Sequence, residues 1–144
     1  MARIEAAARA ALLATALAAR AAAAFACGYC LEDKIASVYD HALVVRSVGR
    51  GHPVAFYHLE GTLEPGEAAR RAIVAAAESV PGIDKGSVRF APDTLTLAFA
   101  FDPRRSSLAA AQNALDRKLA ARRLSLFPMR VIERPAELKE IRAR

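Results

Sequence analysis

From Thr94 to Phe101 the chain alternates, with Leu95, Leu97, Phe99 and Phe101 interleaved with Thr94, Thr96, Ala98 and Ala100. A period of two is the mark of a strand with one buried face. Val88 and Phe90 alternate with Ser87 and Arg89 in the same way. Val54 to Leu59, with Phe56 and Tyr57, suits a pleated surface. Leu124 to Ile132 reads as a last strand; Pro128 within it predicts a sheet edge or a bulge. Three other stretches repeat every three to four residues. Leu31, Ile35, Val38, Ala42 and Val45 predict a helix from Cys30 to about Ser47, stopped by the Gly49–Pro53 run. Ala69, Ile73, Ala76, Ala77 and Val80 predict a helix over Glu67–Val80, with Pro65 in its entry and Pro81-Gly82 after it. Leu108, Ala111, Leu115 and Leu119 predict a third, capped by Ser106 or Ser107 and ending near Arg122. After the first helix the order is strand, helix, strand, strand, helix, strand. That order predicts an α+β fold: a ferredoxin-like βαββαβ sandwich preceded by an N-terminal helix, its two later helices on one face of the sheet.

The start of the chain has another grammar. Arg3 and Arg9 precede the uncharged, apolar run Ala10–Ala19, and alanines then lead to Ala24-Phe25-Ala26. Charge, apolar run and small residues in that order predict a secretory signal over residues 1–26. The run is too short, and too broken by Arg20, to stay in a bilayer as a span. An alanine-rich helix is the other reading of the same residues. The predicted division is a signal over 1–26, a Cys-x-x-Cys segment and helix over 27–52, the sandwich over 53–133 and a charged tail over 134–144. The predicted location is the periplasm or the exterior. A cysteine after small residues also admits lipidation of Cys27, which would anchor the protein to a membrane.

Charge changes this picture little. The 144 residues carry a formal +6, of which Arg3, Arg9 and Arg20 against Glu5 account for +2. The remainder is mildly basic and does not by itself indicate nucleic-acid binding. Phe99 and Phe101 share a face with Leu95 and Leu97, so they read as core and not as base-stacking platforms. Arg70-Arg71, Arg104-Arg105 and Arg122-Arg123 read as solvated helix-end charges.

The chain has only two cysteines, in Cys27-Gly28-Tyr29-Cys30. Two thiols at this spacing can hold a soft metal ion, cycle as a dithiol or close a short disulfide. Two thiolates satisfy Cu(I), and a free α-amine on Cys27 would add a third donor. Cys30 would begin a helix, where the dipole lowers a thiol pKa. His41 lies 11 residues beyond Cys30. On one straight helix that is about 16 Å of rise, too far for one ion. His52 and His58 read as ordinary surface or core residues, available to a site only if the fold brings them there. A dithiol oxidoreductase would carry its motif between a strand and a helix, and no such frame surrounds Cys27 and Cys30. In an oxidising compartment a structural disulfide fits the same pair. Glu64 and Glu67 read as first-turn helix acids, and Asp40-His41 has no nucleophile beside it. With no Gly-x-Ser-x-Gly and no phosphate-cradling glycine loop, the chain reads as a non-enzyme.

Val80-Pro81-Gly82-Ile83, then Leu95-Thr96-Leu97 and Phe101-Asp102-Pro103, resemble the heavy-metal-associated domain over about Val54 to Ile132. The resemblance implies a soft-cation loop, Gly-Met-x-Cys-x-x-Cys, between the first strand and the helix after it. Here that loop reads Gly61-Thr62-Leu63-Glu64-Pro65-Gly66-Glu67. Aligned on Gly61, the cysteine positions hold Glu64 and Glu67; aligned back from Pro81, they hold Gly66 and Ala69. The resemblance thus implies a degenerate version of that domain, without the loop thiols. The expectation is an exported metal-binding protein that carries Cu(I) or another thiophilic cation on Cys27 and Cys30 and exchanges it with a donor or acceptor protein. No nucleic-acid partner is expected, and a membrane only through a lipidated Cys27. The alternative is a non-catalytic envelope interaction module with a structural Cys27–Cys30 disulfide or a lipidated Cys27.

Overall fold

The structure is a computed structural model and describes residues 31–64 and 66–137. A compact unit begins at Lys34 and carries the fold. Residues 31–38 are helical (α1). Then come α2 (His41–Gly49), β1 (Val54–Glu60), α3 (Glu67–Glu78), β2 (Arg89–Ala91), β3 (Thr96–Ala100), α4 (Leu108–Ala120) and β4 (Ser125–Ile132).

The predicted single helix from Cys30 to Ser47 is corrected to two among the described residues. Asp40 is extended (φ −112, ψ 103), and its side chain accepts the Leu43 N–H at 3.0 Å. A short carboxylate that caps the next turn ends the helix before it, although the apolar spacing runs on unbroken. Ser107 caps α4 in the same manner, accepting the Ala110 N–H at 3.1 Å.

The sheet has the order β2-β3-β1-β4, and every neighbouring pair is antiparallel. With α3 and α4 as crossovers this is the ferredoxin-like topology the sequence predicts. β4 lies at the edge, and its pairing slips by one residue: Phe56 faces Arg130 while Tyr57 faces Pro128. Met129 is the extra residue, so the proline sits in an edge bulge, where its missing N–H breaks no central ladder.

One face of the sheet presents Ala55, Tyr57, Leu59, Leu97 and Phe99 to Ile73 and Ala77 of α3 and Ala111, Leu115 and Leu119 of α4. Tyr57 stacks on Phe99 with ring centroids 5.4 Å apart. The opposite face is buried as well: Val54, Phe56, Thr96, Ala98 and Ala100 are all closed to solvent. α1 and α2 lie against it. Tyr39 stacks on Phe56 at 6.4 Å, Ser37 Oγ meets Thr94 Oγ1 at 2.8 Å, and Arg89 Nη2 reaches Asp40 Oδ2 at 3.0 Å. Ile35, Val38, Leu43, Val44 and Val48 are buried in this layer. The sheet therefore has helices on both faces, one layer more than the sequence predicts. The small outward residues of β3 leave room for a helix to approach.

Two strand limits also differ from expectation. Leu95 lies outside β3 at φ 49, in the turn that begins at Pro92, and its carbonyl accepts the Leu59 N–H at 2.7 Å. Phe101 lies past the strand in a single bridge to Ile83. Among the described residues no helix is long and apolar enough to cross a membrane.

Candidate functional site

Cys27 and Cys30, the residues expected to ligate metal, lie outside the described residues, as does the leader-like segment. The described domain does show the loop that the resemblance compares with a metal loop. It starts at Gly61, whose φ is +136. A Cβ there would collide with the Arg123 carbonyl and come within 2.8 Å of Leu124 Cδ2. The glycine lets the loop press against the turn between α4 and β4. Glu64 and Glu67 are exposed, and Glu67 pairs with Arg70 at 3.5 Å. Among the described residues, no three His, Cys, Asp or Glu side chains converge as a metal site.

The three histidines are in separate places. His41 opens α2 and meets the Tyr39 hydroxyl at 3.2 Å. α1 ends before it. His58 is half-buried in β1, with Nδ1 3.1 Å from the Leu95 carbonyl oxygen. His52 has the densest surroundings. Its Nδ1 is 2.7 Å from Asp84 Oδ2 and its Nε2 is 3.9 Å from Asp102 Oδ1. Arg50 approaches Asp84 at 3.7 Å, and Arg104 Nε approaches Asp102 at 3.3 Å. The Arg104 backbone N–H, at 3.0 Å, holds the Asp102 carboxyl below the usual carboxylate range; the Arg104 guanidinium and His52 add to this against the opposing effect of burial. No sequence spacing signals this network, since its acids lie 32 and 50 residues from His52.

The network joins the start of β1 to two of the three motifs that carry the resemblance. Asp102 N–H donates to the Gly82 carbonyl at 2.8 Å, and Ile83 bridges Phe101. Phe101 N–H donates to the Pro53 carbonyl at 3.1 Å. All of this lies at the end of the sheet where β1 begins. The Gly61 loop lies where β1 ends, seven residues on, or about 20 Å at strand rise. At the His52 end these contacts tie the start of β1 to the turns at Gly82 and Asp102. The nearby Ser87 hydroxyl is already engaged, donating to the Asp84 carbonyl at 2.6 Å and accepting the Ala100 N–H at 3.1 Å.

No family model matches the chain, and no curated protein matches it. Among solved structures it is similar to the crystal structure of oxidized MerP from Ralstonia metallidurans CH34, at 17% identity and a TM-score of 0.42. The match covers 54% of this chain and 96% of that one. So distant a likeness carries no functional weight; strand order and register alone establish a ferredoxin-like α+β domain with a second helical layer.

Proposed function

We propose that this protein is an exported carrier of a thiophilic cation, Cu(I) foremost, held by the Cys27 and Cys30 thiolates and exchanged with a donor or acceptor protein. The observation that carries the reading is the Cys-x-x-Cys pair itself, which holds both of the chain's cysteines at the end of a leader-like segment. Two thiolates match a soft ion of low coordination number. The loop at the start of α3 is compatible with the assignment. Its carboxylates are exposed, hard donors, so it offers a soft ion no competing site. In this reading the ferredoxin-like domain is a scaffold and recognition surface, works without catalysis and acts in the periplasm or outside the cell. The test is metal stoichiometry by native mass spectrometry under reducing conditions. The parent should retain one ion, and the Cys27→Ser, Cys30→Ser double variant should retain none while melting at the same temperature. An unchanged stoichiometry in the double variant rejects the assignment.

The absence of thiols from the Gly61–Glu67 loop favours a second reading, a non-catalytic interaction module in which Cys27 and Cys30 form a structural disulfide or Cys27 bears a lipid. A metal-free mass about 2 Da below the reduced value supports the disulfide. An added acyl mass supports the lipid.

A further inference from the structure

The two edges of the sheet are finished differently. β4 is guarded: Asp116 of α4 accepts the Leu126 N–H at 3.0 Å, Pro128 has no N–H, and the bulge beside it breaks the row. Edges capped and bent in this way resist pairing with another chain.

β2 has no such guard. Ala100 donates its N–H to Ser87 Oγ at 3.1 Å and accepts the Asp84 N–H on its carbonyl at 2.9 Å, so both groups face the β2 side. Along a strand this facing alternates, so Ala98 and Thr96 face β2 as well, opposite Arg89 and Ala91. Phe90, between those two, turns its N–H and C=O to the outer edge. Among the described residues nothing bonds either group. Yet Phe90 is only 5% exposed, and backbone groups so placed are seldom left unpaired.

The edge is the floor of a cleft. α3 stands on one side and the α1–α2 junction on the other, with Ser37, Asp40, Arg70, Arg89 and Phe90 around a space of about 560 Å³. A groove of about 410 Å³ adjoins it, between Arg71 and Val74 of α3 and Val88 of the edge. Most charges here are spent. Arg89 holds Asp40 and the Gly86 and Val88 carbonyls, Glu67 meets Arg70, and Glu78 accepts the Gly86 N–H at 2.8 Å. Arg71 is exposed and, among the described residues, makes no ion pair.

We infer that the β2 edge takes up an extended segment of a partner protein as a fifth strand, with an acidic side chain of that segment set against Arg71. Main-chain bonds to Phe90 supply the attachment, and the wall of α3 supplies the choice of side chain. A helix does not fit, because its own backbone bonds leave nothing for Phe90. Nor does a second copy. Its β2 edge is equally recessed, and two such floors cannot come within the roughly 4.8 Å of paired strands. Docking of this kind asks nothing of Cys27 and Cys30.

The test uses the full chain, isotope-labelled for amide exchange, and capped peptides of about seven residues that alternate Val with Glu or Val with Lys. The Val–Glu peptide should slow exchange of the Phe90 amide more than about tenfold and leave that of Leu126 unchanged. The Val–Lys peptide should bind about threefold or more weakly, and Arg71→Glu, melting as the parent does, should reverse the order of the two. Methylating alternate backbone nitrogens of the Val–Glu peptide should abolish binding in one phase and spare it in the other, because only one edge of the peptide meets β2. Four results would each overturn the inference: no binding of the Val–Glu peptide at about 1 mM, binding that leaves Phe90 exchange unchanged, indifference to methylation in both phases, or an unchanged order in Arg71→Glu. Protection of Phe90 that grows with protein concentration alone overturns it in favour of a second copy.

Discussion

The carbonyl oxygen of Gly82 accepts the backbone N–H of Asp102 at 2.8 Å, and this bond joins two motifs 20 residues apart in sequence. Gly82 has φ +92, and a Cβ there would stand 2.5 Å from Ser106 Cβ. Both the backbone and the space require glycine. Gly82→Ala should cost about 2–3 kcal/mol, read as a lower midpoint in thermal or urea unfolding. An unchanged midpoint would mean that the turn yields without consequence for the sheet.

Two carboxylates make the fold sensitive to acid. The Leu43 N–H and then Arg89 hold Asp40 low, and the Arg104 N–H holds Asp102 low. Because the folded pKa lies below the unfolded one, this stabilisation is complete above about pH 3.9 and is lost as pH falls through the folded value. The stability of Asp40→Asn and Asp102→Asn should therefore fall less steeply with acid than that of the parent. Parallel slopes in all three proteins would remove these groups as the cause.

Burial pushes the Tyr57 phenol up to about 12. The neutral ring donates to Gln112 Oε1 at 3.3 Å and stacks on Phe99. Here the folded pKa is raised, so the contribution is whole below pH 10 and is lost as pH rises towards about 12. Tyr57→Phe should show a flatter stability curve over that window. Tyrosinate absorbance in the parent should contain one group that ionises late.

Asp40 and Phe56 test the second helical layer. Phe56→Ala empties a site closed to solvent against Tyr39 and should cost about 3–5 kcal/mol. Asp40→Ala removes the α2 cap and the Arg89 pair and should lower the unfolding midpoint by less than Phe56→Ala does. Hydrogen exchange should quicken in α2 for Asp40→Ala before it changes in α4. Equal quickening in both helices would show that the layers unfold together.

The sequence was legible where local chemistry and global fold agree. Ser107 caps α4, Pro128 sits in an edge bulge, and the alternation through Leu97 and Phe99 marks a central strand. It was illegible where a single residue overrides a period. Asp40 divides a stripe that reads as one helix, and Leu95 takes a left-handed turn inside an alternating run. Burial of the outward face of β3 could not be read from Thr96, Ala98 and Ala100, because residues so small suit water and a packed helix alike. The His52 network depends on partners far away in sequence and left no local trace. For the candidate site, the loop's lack of thiols was plain from the residues. Two of the motifs that suggested the fold, at Gly82 and Asp102, lie about 20 Å of strand from that loop, so keeping them places no demand on its chemistry; the third, Leu95–Leu97, pairs with the end of β1 beside it.

The helices on the second face set the domain's terms of trade with its neighbours. With its central strands roofed above and below, the domain shows, among the described residues, no broad open sheet on which another protein can settle. Recognition is left to the rims at β2 and β4, the turns at either end and the outer sides of the helices. These are narrow surfaces, on which one substituted side chain can change the choice of partner without disturbing the interior.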